Sequence, residues 1–356
     1  MSTITFILGA GASKSCGAPL MNTFLDCAGK LMNLGLVNNN INEFNLVFNS
    51  IKNLQRVHSK SQLNLNNIES IFTTFEIGKI LNKLPGQKAD EIPEILRALK
   101  VLIFRTLEES ISFKTDDHRF IRATKDYNSF VEILKWLITD AKPKNEINII
   151  TFNYDIGIDI GILINNMEPY YGFSSEIKEG KIPLYKLHGS INWGKETVSG
   201  KIRPFYLQKY ISEYISRVAV SNSNINLRIG SKIQEYFKNN QIQVESEPVI
   251  IPPSWNKLSY NESISEVWEK ASMALEKSEY IFIIGYSLPE TDSFFKLLFA
   301  LGTEGDTLLK KLVVINPDIL VKDRFLSFLG PAAKERFEYH EIGIEDSFSI
   351  IKQCFD

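Results

Sequence analysis

Thr3-Ile4-Thr5-Phe6-Ile7-Leu8-Gly9-Ala10-Gly11-Ala12-Ser13 decides the reading of this chain, because an apolar run breaks directly into a glycine-rich turn. A run of that composition reads as a buried strand. Glycines permit positive φ and let backbone approach a ligand closely, so the turn can offer N–H groups to a phosphate at the start of the following helix. A nucleotide is therefore the first ligand to consider. Turns of this kind also occur simply to pack a helix on a sheet, and the local pattern leaves both readings open.

The rest of the composition narrows the class. A chain of 356 residues with 44% hydrophobic residues can bury a large core, as one big domain or two ordinary ones. Its 40 basic and 42 acidic side chains leave a formal net charge of −2, so no overall field favours nucleic acid or an anionic membrane. Cys16, Cys27 and Cys354 cannot all pair and form no C-x-x-C element, which points to a reduced, cytoplasmic protein without a zinc ribbon. The first apolar run is short and lacks a basic leader, and no stretch reaches about 18 uninterrupted apolar residues. The expectation is a protein with no export signal and no membrane span.

Outward from the first strand, residues 22–140 show helical periodicity. Phe44, Val47, Phe48, Ile51 and Leu54 share a face, as do Ile68, Ile71, Phe72 and Phe75, and then Phe130, Ile133, Leu134, Leu137 and Ile138. These stripes read as core. From Ile147 the texture changes to short runs typical of buried parallel strands, at 147–152, 184–187, 248–251, 280–284 and 311–315, with crossover helices at 262–277 and 291–300. The fold class is α/β, a Rossmann-like open parallel sheet with a large helical insertion after the first strand. Residues 1–21 and 141–356 form the Rossmann-like domain, 22–140 the helical insertion, and 200–243 a smaller, partly helical insertion. The Asn-rich pieces 37–45 and 221–226 read as exposed turns.

In an open α/β sheet, ligands collect beyond the carboxyl ends of the strands. Those ends are polar here: Gly9-Ala10-Gly11-Ala12-Ser13, Thr151-Phe152-Asn153-Tyr154-Asp155, His188-Gly189-Ser190, Gly285-Tyr286-Ser287 and Asn316-Pro317-Asp318. In order and placement they resemble the sirtuin superfamily pattern of G-A-G-x-S, then N-x-D after a strand, then H-G, G-[ST]-S and I-N. Lys186-Leu187-His188-Gly189-Ser190-Ile191-Asn192-Trp193 and Ile250-Ile251-Pro252-Pro253-Ser254-Trp255-Asn256-Lys257 look more narrowly like the sirtuin-like proteins of bacterial antiphage defence. Cys16-Gly17-Ala18-Pro19-Leu20-Met21 replaces the isoleucine-proline-aspartate-phenylalanine-arginine run of protein deacylases, Phe152 stands where many of them have glutamine, and the four-cysteine zinc module is missing. These departures argue against acyl-lysine chemistry.

The resemblance implies NAD as the substrate and no metal. It implies that Asn153 orients the nicotinamide ribose or the attacking water, that His188 is the general base, and that Asp155 helps hold the nicotinamide end. Gly9, Ala10, Gly11 and Ser13 would cradle the pyrophosphate, Gly285 and Ser287 would meet a phosphate or ribose, and Asn316, assisted by Asp318, would bond the adenosine ribose. The implied activity is an NAD glycohydrolase, a regulated effector of abortive infection. A homo-oligomer, and a partner such as a translocase ATPase or a short Argonaute, come with it. A non-catalytic NAD or ADP-ribose sensor, and a deacylase or ADP-ribosyl transferase, stay open as alternatives.

Blander readings stand beside these. His188-Gly189 can simply turn the chain, Asn153 can be a turn residue and Asp155 a helix cap, and Ser287 and Asn316 fall in good turn and helix-start sequences. His58, His118 and His340 read as surface or turn residues, Cys16 as a small buried side chain, and Trp193 and Trp255 as either pocket lining or core.

Overall fold

The computed structural model describes residues 2–58, 60–116, 121–141, 145–173, 180–205, 207–218, 226–228, 243–245, 248–251, 264–289 and 292–355. The chain opens with β1 (Thr3–Leu8) and continues through α1 (Phe24–Asn33), α2 (Ile41–His58), α3 (Ile68–Ile80), α4 (Ile92–Ser110), β2 (Phe113–Thr115), β3 (Ile121–Arg122) and α5 (Lys125–Thr139). Next come β4 (Glu146–Thr151), α6 (Gly157–Ile164), β5 (Glu168–Tyr170), β6 (Lys181–Lys186), β7 (Trp193–Lys195), β8 (Ile202–Pro204), α7 (Leu207–Val218) and β9 (Asn226–Leu227). The last part holds α8 (Ser265–Glu276), β10 (Tyr280–Ile284), α9 (Ser293–Gly302), β11 (Lys311–Ile315), α10 (Leu320–Phe328), α11 (Pro331–Lys334), β12 (Phe337–His340) and α12 (Ser347–Gln353).

Seven strands form one sheet in the order β12-β11-β10-β1-β4-β6-β5. Every pairing in it is parallel. From β1 the chain lays β4 beside it, passes to the edge with β5 and fills the gap with β6, then returns to the other side of β1 with β10, β11 and β12, so the winding reverses at β1. Helices cover both faces, which is why the strands are continuous apolar runs rather than alternating ones. On one face Phe6 of β1 meets Phe130 of α5 edge to face at 5.1 Å and stacks on Phe282 of β10 at 5.3 Å. On the other, Thr5 donates to Ala274 O of α8.

The helical stripes fall where the periodicity places them: Phe44, Val47, Leu54, Ile71, Phe72, Phe75, Phe130, Ile133, Leu134 and Leu137 are all buried. The stretch 22–140 is not helical throughout. It carries β2 and β3, and β2 also pairs with β9, so a short antiparallel sheet joins this stretch to 200–243.

Three readings are corrected. Residues 248–251 are not a strand of the sheet: Pro248 cannot donate to a ladder, and Ile250 makes a single antiparallel bridge to Gly189. Two edge strands, β5 and β12, were not expected from the sequence. Of the Asn-rich stretch 37–45, Asn38–Asn40 form a short 3-10 turn and 41–45 enter α2, while 221–225 lie outside the described residues.

Candidate active site

The reversal at β1 leaves a crevice of about 850 Å³ at the carboxyl ends of β1, β4, β6, β10 and β11. Ala10, Gly11, Asn153, His188, Gly285, Ser287, Asn316 and Asp318 all line it, so most of the strand-end residues singled out in the sequence converge. Gly9, Ser13 and Asp155 do not line it. They lie behind its wall.

The glycine turn is held by its neighbour. Gly9 N–H donates to Ile284 O at 3.0 Å, Gly11 N–H to Gly285 O at 2.9 Å, and Ala12 N–H to Gly9 O at 3.0 Å. Gly285 sits at φ +65°, where a Cβ would lie 2.5 Å from Ala12 N. The glycines thus let two strand-end turns interlock, and most of their N–H groups are spent on protein. Among the described residues Ala10 N–H has no backbone acceptor in this turn. The expectation that the whole turn cradles a pyrophosphate is narrowed accordingly.

Asn153 follows β4 and is almost buried, at 8% exposure. Its Nδ2 donates to Gly9 O at 2.8 Å and to Ser13 Oγ at 2.9 Å, so Oδ1 is the group it can offer a ligand. Ser13 Oγ also pairs with Tyr127 Oη at 2.7 Å. Behind them, Asp155 Oδ1 accepts from Gly157 N–H at 2.7 Å at the start of α6. Burial pushes the Asp155 carboxyl above its ordinary range, and the Lys186 ammonium opposes the shift. Asp155 thus closes a short turn just ahead of α6, and it does not line the crevice.

His188 follows β6 and is 3% exposed. Its ring lies between Phe152, edge to face at 5.1 Å, and Tyr154, tilted at 5.7 Å. Gly189 at φ +81° is forced by the crossing of 248–251: a Cβ there would lie 2.1 Å from Val249 O. That crossing holds His188, whose carbonyl accepts from Ile251 N–H at 2.8 Å. Phe152 stacks on Tyr286 at 5.1 Å, giving the crevice an aromatic floor beside His188.

The far end is built differently. Asn316 Nδ2 donates to Tyr286 O at 3.3 Å and its Oδ1 accepts from Asp318 N–H at 3.0 Å, while Asp318 Oδ1 accepts from Leu320 N–H at 3.1 Å. Both side chains close the turn into α10 as well as facing the crevice. Arg324 of α10 lines the same end and donates from Nη1 to Ser287 O at 3.0 Å. Arg324, Lys14 and Glu69 are lining residues that sequence reasoning missed, and Tyr286 of the Gly285–Ser287 strand end lines the crevice too. Glu69 comes from α3 and is brought in only by tertiary packing.

Other expectations resolve simply. Trp193 is core, packed on Tyr171 at 5.6 Å and Phe173 at 4.7 Å. Cys16 is buried, its thiol pushed up by desolvation. His340 lies in β12, whereas His118 and Trp255 fall outside the described residues. Among the described residues no group of three His, Cys, Asp or Glu side chains could hold a metal ion, and no helix is long and apolar enough to cross a membrane.

No family model matches the chain, and no curated protein does. Among solved structures it is similar to Sir2 proteins. One is Sir2 with the inhibitor EX-527, 2'-O-acetyl-ADP-ribose and a deacetylated p53 peptide, at 12% identity over 99% of this chain and 93% of that one, with a TM-score of 0.40. Another is Sir2 bound to an acetylated peptide, at 11% identity, 99% and 92% coverage and a TM-score of 0.41. A third holds a p53 peptide and NAD+, at 12% identity, 99% and 92% coverage and a TM-score of 0.38. Likeness at this level assigns no residue a role.

Proposed function

We propose that this protein is a sirtuin-like NAD glycohydrolase that splits NAD into nicotinamide and ADP-ribose, with some cyclised product, and serves as a regulated effector of antiphage defence. The observation that carries the reading is the meeting of Asn153 and His188 in one crevice beside the β1 glycine turn. Its volume of about 850 Å³ falls within the range of about 300–1,000 Å³ usual for ligand sites.

Expulsion of nicotinamide develops positive charge on the ribose, and the pyridinium leaves as a neutral base. The site must then place a polar acceptor, a base and little bulk water around that ribose. Asn153 Oδ1 is the acceptor, turned toward the ligand because both amide hydrogens are held by Gly9 and Ser13. His188 acts as the base through a ribose hydroxyl or a water. The Phe152 and Tyr286 rings exclude solvent, and Ala10 N–H, Lys14 and Arg324 meet the phosphates, with Asn316 and Asp318 at the adenosine ribose. The defence role rests on the resemblance of 186–193 and 250–257. Regulation by self-assembly, or by a translocase ATPase or short Argonaute partner, belongs to the same reading.

The near burial of His188 favours a second reading, a module that binds NAD or ADP-ribose without turnover. Incubating the pure protein with NAD, alone and with candidate partners, and following nicotinamide by chromatography separates the two. Release supports the hydrolase. Binding without release under every condition supports the sensor.

A further inference from the structure

His188 and Asn153 leave adjacent strands, and the seam between those strands holds a buried charge pair. In the β4–β6 ladder Thr151 stands opposite Lys186, so Asn153 and His188 each lie two residues beyond one register pair. Lys186 and Asp159 are both wholly buried. Lys186 Nζ donates to Asp159 Oδ2 at 3.0 Å and to the Asp155 carbonyl at 2.5 Å, which ties the end of β6 to the start of α6.

The other carboxylate oxygen completes a ring. Asp159 Oδ1 accepts from Tyr171 Oη at 2.5 Å, Tyr171 Oη accepts from Asn192 Nδ2 at 3.1 Å, and Asn192 Oδ1 accepts from Ser190 Oγ at 2.6 Å. Residues 186 and 190–192 are thereby both anchored, directly or through Tyr171, on Asp159. His188 lies between the two anchors, and the Asp155 carbonyl that Lys186 grips belongs to the residue two positions after Asn153.

Stability alone does not account for such a pair. Desolvating two charges is expensive, and well-packed apolar residues in their place serve a fold as well or better. We propose that Lys186 and Asp159 are positioning residues, a buried clamp that sets the placement of His188 relative to Asn153. The inference rests on the reading of those two residues as the groups that act on NAD. Asp159 is the hub, Lys186 joins it to the Asn153 turn, and Tyr171 joins it to the loop after His188.

The test replaces the pair by apolar side chains, Lys186→Met with Asp159→Leu, and separately removes the two ring bonds made by the Tyr171 hydroxyl with Tyr171→Phe. The double variant is expected to melt cooperatively near the unaltered protein's Tm, while kcat/KM for nicotinamide release falls about a hundredfold from misplacement. Tyr171→Phe, which loses both bonds of that hydroxyl, is expected to lose about tenfold. A merely structural pair gives the opposite pattern, with fold and turnover recovered together in the double variant, and that result overturns the clamp. If the double variant does not fold, unchanged turnover in Tyr171→Phe overturns it instead. Absence of release from the unaltered protein sinks the hydrolase reading separately. NAD affinity in the same variants then decides the clamp, with a fall of about tenfold expected and unchanged affinity overturning it.

Discussion

The two halves of the crevice are built on opposite plans. On the β4–β6 side, side chains hold one another: Asn153 is pinned by Gly9 and Ser13, His188 is walled by Phe152 and Tyr154, and a buried ion pair lies beneath. On the β10–β11 side, the Asn316, Asp318 and Arg324 side chains bond backbone groups of the turns, and Ser287, Asp318 and Arg324 keep exposed surface. Fixed geometry suits bond breaking, which tolerates little misplacement, whereas an open rim suits recognition of a long charged ligand. The difference assigns chemistry to the sealed side and affinity to the open side.

The largest expected effect breaks the sealed side directly. Asn153→Ala and His188→Ala each lower the rate of nicotinamide release by about 10²–10⁴-fold while NAD affinity, measured by calorimetry, changes by only a few-fold. Equal losses of rate and affinity would erase the division between the halves.

Alkaline pH attacks the sealed side through its phenols. Burial pushes Tyr127, Tyr154 and Tyr171 well above their ordinary value of 10.0. The folded state holds these protons more tightly than the unfolded chain, so their contribution is intact below pH 10 and drains as pH rises beyond it. Each such phenol removes about 1.4 kcal/mol per pH unit in that window. Thermal melts between pH 8 and 12 should show Tm falling steeply only above about pH 10. A flat profile there would mean that the phenols are not sealed.

Interlocking of the turns is tested by Gly285→Ala. Its Cβ would meet Ala12 N at 2.5 Å at a φ of +65°, so a loss of about 1–3 kcal/mol in urea unfolding is expected, together with weaker NAD binding. The smallest effect belongs to the open rim. Arg324→Ala should raise KM about tenfold with kcat unchanged, as removal of a phosphate contact common to ground and transition states does.

Much of this was legible in the sequence because parallel strands covered on both faces announce themselves as apolar runs, and β1, β4, β6, β10 and β11 all do so. The polar residues after those runs mark the crevice for the same reason, since strand ends in such a sheet converge at the reversal. Glu168–Tyr170 and Phe337–His340 escaped because edge strands are short and carry polar or half-buried residues. Val249-Ile250-Ile251 misled because its composition is that of a strand, while Pro248 has no N–H for a ladder and Ile250 makes only an isolated bridge. Spacing puts Asp155 near Asn153, but only the start of α6 shows its carboxylate accepting from Gly157 N–H. Residues such as Glu69 and Arg324 could not be ranked from sequence, because long-range packing and a helix turn bring them to the wall.

Whether the sealed and open halves serve one dinucleotide is tested most directly by a crystal structure with ADP-ribose bound. The account predicts its pyrophosphate between Ala10 and Arg324, its adenosine toward Asn316, and its free ribose within hydrogen-bond reach of Asn153 Oδ1 and the His188 ring. ADP-ribose bound elsewhere, or lying in the crevice with that ribose turned away from both side chains, would contradict it.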